Sequence, residues 1–214
     1  MGSRAGSNIV RLGGRRRSEA IQYYLCAGGV TAVGVVFLNF TGFSLTSLGV
    51  LCLFGTLAGG FVYLGNRSFK RAGHAYTGAS AEIEVAALLD SELKPLGWRI
   101  EYNFNFKRHG DIDVVLFSPK SRAYCIDVKS HKGTKQYVGG QLVRRYGKNV
   151  YPFKEGDLLE KVRRQTDYVS QLMSVKCTPI LCFTQSDVDI KGNMVNGIHV
   201  LSKKNLVDTL KKLG

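Results

Sequence analysis

From residue 21 to residue 66 the chain carries no Asp, Glu, Lys, Arg or His. Crossing a bilayer takes about 20 residues of helix, and residues 21–39 and 45–64 are each long enough to do so. Asn39-Phe40-Thr41-Gly42-Phe43 lies between them and is too short for anything but a turn, so the pattern predicts a helical hairpin. Arg4, Arg11, Arg15, Arg16 and Arg17 precede it, Arg67, Lys70 and Arg71 follow it, and the loop is uncharged. The positive-inside rule then puts both termini in the cytoplasm. A two-span, multi-pass anchor of this kind would suit a prokaryotic inner membrane. Gly55-x-x-x-Gly59 and Gly28-x-x-x-Ala32 offer small surfaces for close helix contact. A cleaved signal peptide fits badly, because two spans occur and no small-residue cleavage site is evident. The alternative is a buried helix pair in a soluble protein, although such helices seldom stay uncharged for so long.

The remainder has a different character. Residues 1–20 form a basic cytoplasmic segment and residues 67–76 a basic linker, leaving 77–214 as one soluble domain. Residues 67–214 hold 25 basic and 15 acidic side chains, a net charge of +10 without histidine. That excess suits a polyanionic partner, nucleic acid or an anionic lipid surface, and charge alone does not separate the two. The five cysteines (26, 52, 125, 177 and 182) are odd in number and form no C-x-x-C pair, which favours reduced thiols over a zinc site. Histidines 74, 109, 131 and 199 show no ligand spacing.

Within the soluble domain, Thr77 is placed to cap a helix over 79–93, and Lys94-Pro95-Leu96-Gly97 stops it. Residues 98–104 alternate as a strand. Two apolar strands follow, one opened by Gly110-Asp111-Ile112-Asp113 and one closed by Ile126-Asp127-Val128-Lys129. If they pair as a hairpin through Ser118-Pro119-Lys120-Ser121, Asp113 and Asp127 come to the same end of the sheet. Side chains alternate along a strand, so Asp127 and Lys129 share a face and Val128 points to the other. Residues 133–156 read as loops or a peripheral hairpin, 157–175 as a helix, 178–184 and 196–201 as strands, and 203–213 as an amphipathic closing helix. This order describes an α/β sandwich around a mixed central sheet. Two acids and an ammonium on one sheet edge can hold a divalent metal and steer a water at a phosphodiester. Ordinary ion pairs of Asp113 and Asp127 with Lys129 or Arg122 are the plainer reading. Asp111 fits a turn role better than a ligand role.

The ordered set Gly78-Ala79-Ser80-Ala81-Glu82, Gly-Asp-Ile-Asp, and Ile126-Asp127-Val128-Lys129-Ser130-x-x-Gly133 resembles the nuclease-related domain family, NERD, of the PD-(D/E)XK restriction-endonuclease-like superfamily. The likeness runs from about residue 76 to 213. It implies a restriction-endonuclease-like fold and a magnesium-dependent nuclease, with manganese able to substitute. It further implies that Asp113 and Asp127 are metal ligands, that Lys129 is the catalytic lysine, that Glu82 is a further ligand, direct or through water, and that Gln165 is a site residue on a later helix. Enzymes of this superfamily often pair to cut both strands, so a homodimer is one expectation, and the sequence leaves the oligomeric state open. One departure is that Asp127 stands where the family usually has glutamate, one methylene longer. Glu84 is the competing choice for Glu82, and Gln165 can equally sit on a solvated helix face.

Basic residues crowd 129–164 among Tyr137, Tyr146, Tyr151 and Phe153. Lys132, Lys135, Arg144, Arg145, Lys148, Arg163 and Arg164 are the expected nucleic-acid contacts, since cations with interleaved aromatics can track phosphates and stack bases. The three readings left open are a membrane-anchored DNA endonuclease, an inactive nuclease-fold module that tethers DNA or meets anionic lipid at the membrane, and an interaction protein.

Overall fold

A computed structural model describes residues 5–42, 44–106 and 110–214 of the chain. Arg4, Phe43 and His109, invoked above, lie outside the described residues. The chain divides into two compact units, Asn8–Tyr76 and Met1–Ser7 with Thr77–Gly214.

The first unit is built from α1 (Ser7–Thr41) and the first part of α2 (Leu45–Leu93). The start of α2 is held by a reciprocal serine pair. Ser47 N–H donates to Ser44 Oγ (3.1 Å), and Ser44 N–H donates to Ser47 Oγ (2.7 Å), which satisfies donors a helix start leaves open. Both helices are long and apolar enough to cross a membrane. Their apolar side chains, Leu25, Phe40 and Leu45 among them, are exposed rather than packed away as in a core helix. The close helix contacts are not at the expected glycines. A Cβ on Gly34 would lie 3.2 Å from Phe54, and one on Gly65 would lie 2.9 Å from Tyr24, whereas Gly28, Gly55 and Gly59 have nothing within 4 Å. Helix α2 does not stop at the end of its apolar stretch. Residues 67–76, read as a linker, are helical, and Thr77 lies inside α2 rather than capping a new helix. No proline interrupts this stretch, so nothing in it stops a helix already under way.

In the second unit a six-stranded mixed sheet runs in the order β1 (Arg99–Phe106), β2 (Gly110–Phe117), β3 (Ala123–Lys129), β7 (Cys177–Phe183), β9 (Ile198–Ser202), β8 (Met194–Val195). The pairs β3–β7 and β7–β9 are parallel, and the other pairs are antiparallel. One face is covered by Ala81, Val85, Leu89 and Leu93 of α2 and by Leu206, Val207 and Leu210 of α4 (Lys203–Leu213), packed on Val114, Leu116, Tyr124, Ile126 and Val128. The other face carries α3 (Leu158–Met173), whose Leu158, Leu159, Val162 and Val169 meet the sheet. Asp157 caps α3 by accepting from Leu159 N–H (2.9 Å) and Glu160 N–H (3.2 Å). The result is a sandwich with helices on both faces of a mixed sheet, as the order of elements predicts.

Residues 133–156 hold more structure than a peripheral hairpin. They form a three-stranded antiparallel meander of β4 (Thr134–Val138), β5 (Gln141–Tyr146) and β6 (Asn149–Pro152). Gly139 and Gly140 turn β4 into β5 with φ of 58° and 81°, the positive values a two-residue hairpin turn requires.

Candidate active site

The β2–β3 hairpin pairs Val114 with Ile126 and Phe117 with Ala123. Asp113 and Asp127 are therefore the next opposed positions, at the end of the sheet predicted from the spacing. The β2–β3 ladder ends just before this pair, and the β1–β2 ladder is interrupted at the same level. Between β1 and β2 the ladder passes from Tyr102↔Val114 to Phe104↔Ile112 and omits Asn103 and Asp113. Asn103 adopts a φ of 52°, a left-handed conformation that asparagine tolerates better than most residues. The faces exchange across this point. Tyr102 and Val114 pack on the α2 side, while Phe104 and Ile112 pack on the α3 side. Asp113 sits at the crossover, and its Oδ2 accepts the Val128 N–H at 2.6 Å. A carboxylate thus takes up a β3 donor just beyond the last ladder pair, which fixes its orientation.

Asp127 is buried, and its Oδ2 forms an ion pair with Lys129 Nζ. Burial works against the Lys129 ammonium, yet Asp127, Asp113 and Glu82 together hold its pKa above the ordinary lysine value. Burial, then Asp127 and Glu82, push Asp113 well above the usual carboxylate range, against the pull of Lys129 and the Val128 N–H. Glu82, on α2 and only 5% exposed, is pushed up to about 7 by burial, with Asp127 and Asp111 adding to the rise and Lys129 and the Gly6 backbone N–H opposing it. Glu84 is engaged elsewhere, in an ion pair with Lys203 on the surface. On α3, Gln165 is 3% exposed and donates from Nε2 to the Asp111 carbonyl (2.8 Å), while its Oε1 is buried without a partner. Asp111 itself lies exposed in β2 and offers Gln165 its backbone rather than a ligand carboxylate.

The structure thus gathers Glu82, Asp113, Asp127 and Lys129 into one electrostatic cluster and sets Gln165 against its β2 edge. Three carboxylates share one ammonium. Among the described residues no group of three or more His, Cys, Asp or Glu converges closely enough to bracket an ion by itself. Magnesium does not demand one, since it binds through one or two carboxylates and keeps water or substrate phosphate in the rest of its shell. The Asp113 and Asp127 oxygens at one strand end fit that pattern.

The raised carboxyl groups carry a pH signature. Glu82 has a folded-state pKa above its unfolded value, so between about 4.5 and about 7 the folded chain holds the extra proton, and stability falls as pH rises through that window. The difference in melting temperature between wild type and Glu82→Gln, followed in EDTA from pH 5 to 8, should therefore turn in favour of the variant as pH rises. A difference that stays flat would contradict the assignment.

The expected phosphate contacts separate into three groups. Lys132, Arg145, Lys148 and Arg164 are exposed. Arg144 donates to the Pro152 carbonyl (3.1 Å) and lies over the Phe153 ring (5.2 Å), and Arg163 donates to the Asn196 carbonyl (3.1 Å), so both are partly committed. Lys135 is not a surface contact at all. It is fully buried, and its Nζ donates to the carbonyls of His131 (3.0 Å) and Lys132 (3.1 Å) and to Ser186 Oγ (2.9 Å). Burial, with Arg144 nearby, pulls it down to about 7. Tyr137, Tyr146 and Tyr151 remain exposed on the meander, while Phe153 is buried. Two site contacts escape sequence reasoning, the Val128 N–H on Asp113 and the Gly6 N–H facing Glu82. Both are backbone groups, which leave no mark in residue identity.

Residues 77–184 match the family model of the nuclease-related domain, NERD. The chain belongs to the NERD family. The match contains Glu82, Asp113, Asp127, Lys129 and Gln165, and ends at residue 184, before β8, β9 and α4. A solved structure, that of a repair endonuclease from Pyrococcus abyssi, is similar with 15% identity and a TM-score of 0.32, covering 60% of this chain and 42% of that one. The chain thus spans about two fifths of that protein's length. No curated protein matches it.

Proposed function

We propose that this NERD protein is a membrane-anchored, metal-dependent endonuclease that hydrolyses phosphodiester bonds of DNA. The observation that carries the reading is the cluster itself: Asp113 and Asp127 at one strand end, Lys129 paired to Asp127, and a buried Glu82 raised by burial beside them. Such a concentration of buried acid around one lysine is costly in a merely structural role, and sites with strongly perturbed groups are where catalysis is found.

Asp113 and Asp127 would hold the cation, with Glu82 contributing directly or through water. Magnesium suits these oxygens, manganese is a workable substitute, and the ion supplies Lewis-acid polarisation and a more acidic water. The chain's own residues do the rest. Lys129 orients the attacking water and offsets charge as it builds on the phosphorane oxygens. The Val128 N–H keeps Asp113 aimed, and Gln165 holds the β2 backbone while presenting an unpartnered acceptor. Lys132, Arg145, Lys148 and Arg164, with Tyr146 and Tyr151, supply the exposed cations and rings for a DNA strand. Helices α1 and α2 anchor the protein in the inner membrane with both termini and the nuclease domain on the cytoplasmic side, supported by the charge-free spans and the arginines flanking them. Pairing of two such domains would allow both strands to be cut.

A second reading draws on the Lys129–Asp127 pair. If that pair stays closed and leaves Asp127 unavailable, the domain binds DNA at the membrane without turnover. Nicking of supercoiled plasmid by glutamate variants tests the site directly. Glu82→Ala should lower magnesium-dependent nicking by about tenfold or more, within the range of a lost electrostatic contact. Glu84→Ala, which breaks a surface pair, should leave it near wild type. The reverse order would remove Glu82 from the site.

A further inference from the structure

Gly133 closes the motif that holds Asp127 and Lys129, yet it has no side chain to lend to the chemistry. Its surroundings give it a use. Gly133 has a φ of 81°, and a Cβ there would come within 2.8 Å of both the Arg145 carbonyl and the Tyr146 ring. Glycine alone takes that conformation freely and lets a ring lie so close to the backbone. The Tyr146 hydroxyl then donates to the Lys132 carbonyl at 2.8 Å. The same segment is gripped by a second group, since Lys135 Nζ donates to the carbonyls of residues 131, 132 and 133. Tyr146 is thus held at its ring and its hydroxyl against the segment that joins β3 to β4 and begins directly after Lys129.

The held ring is not buried. Tyr146 is 43% exposed and Tyr151 46%, and the two meet edge to face with centroids 6.1 Å apart. The register shows which side of the meander they occupy. Lys135 opposes Arg144 and Arg144 opposes Tyr151, so Tyr146 and Tyr151 share a face with Lys135, while Thr134 and Val150 lie on the other. That face turns towards the end of β7, because Lys135 Nζ sits 4.6 Å from the centre of the Phe183 ring. A tyrosine held in place but open to solvent offers a large flat contact and loses little freedom when a partner stacks on it. A nucleic-acid base is such a partner only when it is unpaired and its face is free. The exposed Lys132 and Lys148 supply charge for the phosphates that accompany it. We propose that Tyr146 and Tyr151 form a stacking platform for the bases of an unpaired DNA strand, which makes single-stranded DNA the substrate class of this domain. The proposal rests on the nuclease reading for the reaction; the seated ring, its exposure and its neighbouring lysines stand without it.

The test uses the full chain in detergent, with EDTA present, and follows binding by fluorescence anisotropy over a range of salt. Three probes are compared: a thymidine oligonucleotide, an abasic strand of the same length, and the duplex of the first. Wild type should bind the base-bearing strand about tenfold more tightly than the abasic one, and Tyr146→Leu should lose that difference, within what one stacked base contributes. Tyr146→Phe keeps the ring and should keep most of the preference. No phosphate contact is removed, so the logarithmic salt dependence should be the same in Tyr146→Leu as in wild type. Val150→Ala, on the opposite face, should bind all three probes as wild type does. Equal wild-type affinity for the base-bearing and abasic strands would overturn the platform, and so would an equal loss of strand and duplex affinity in Tyr146→Leu. Loss of binding to anionic lipid vesicles with the oligonucleotide held as before would assign the rings to lipid and overturn it too. Cleavage assays with magnesium separate the two proposals. If the wild type cleaves and Tyr146→Leu keeps its KM on the single strand, the platform fails and the nuclease reading stands. If nothing cleaves but the base preference and its loss in Tyr146→Leu are seen, the nuclease reading fails and the platform stands.

Discussion

Lys129→Met is expected to abolish most cleavage while leaving the protein folded and its cation binding intact or stronger. The loss should be about 10²–10³-fold in kcat, the magnitude seen when a preorganised group that stabilises developing charge is removed. Lys129 Nζ is paired with Asp127 Oδ2 and raised in pKa by Asp127, Asp113 and Glu82, so a positive charge already occupies the place a divalent ion would want. Removing it deletes a competitor for Asp127 and leaves three acids with no shared counter-charge. Manganese titrations followed by melting temperature should therefore show equal or greater stabilisation of the variant. Parallel loss of cleavage and of cation binding would mean that Lys129 holds the acids together and does no more.

The second large effect lies behind the site. Lys135→Met should destabilise the domain by about 2–4 kcal/mol, the range for removing one partner from a buried, hydrogen-bonded charge. The ammonium bonds carbonyls at residues 131 and 132 and the Ser186 hydroxyl, and packs 4.6 Å from the centre of the Phe183 ring. The Lys135 backbone adds bonds to Asp187 O (3.0 Å) and Asp189 N (2.8 Å), so one residue ties the segment after Lys129 to the segment after β7. Chemical denaturation of the full chain measures the loss. A surface lysine would cost almost nothing, and a change within about 0.5 kcal/mol would return Lys135 to the set of phosphate contacts.

Much of the site was readable in the residues because strand geometry is periodic. The alternation around Asp113 and Asp127 and the short turn between their strands were enough to bring the two acids to one sheet end, and the pairing Val114↔Ile126 has that register. Motif position favours Glu82 over Glu84, and in the structure Glu82 is buried beside the acids while Glu84 is paired on the surface. Other features had no local signal. Residues 67–76 looked like a linker because they are basic and follow an apolar span, but charge does not stop a helix and nothing there breaks one. Lys135 was indistinguishable from its neighbours in a basic run, since its burial depends on Ser186, some fifty residues downstream. The crossover at Asn103 and Asp113 depends on two strands at once, so neither strand's pattern reveals it.

Plasmid cleavage by the full chain, set beside an Asp113→Asn control, decides whether the acid cluster is a nuclease site. Supercoiled plasmid and a labelled single strand would be incubated with magnesium, manganese or EDTA. Asp113 stands at the crossover with its carboxylate fixed by the Val128 N–H, and asparagine keeps its size while removing its charge. The expected result is nicking that needs the divalent ion, stops in EDTA and is absent from the control. Cleavage that persists in EDTA or in the Asp113→Asn protein would contradict it, as would a wild type that shifts DNA in a salt-sensitive way but never cuts it.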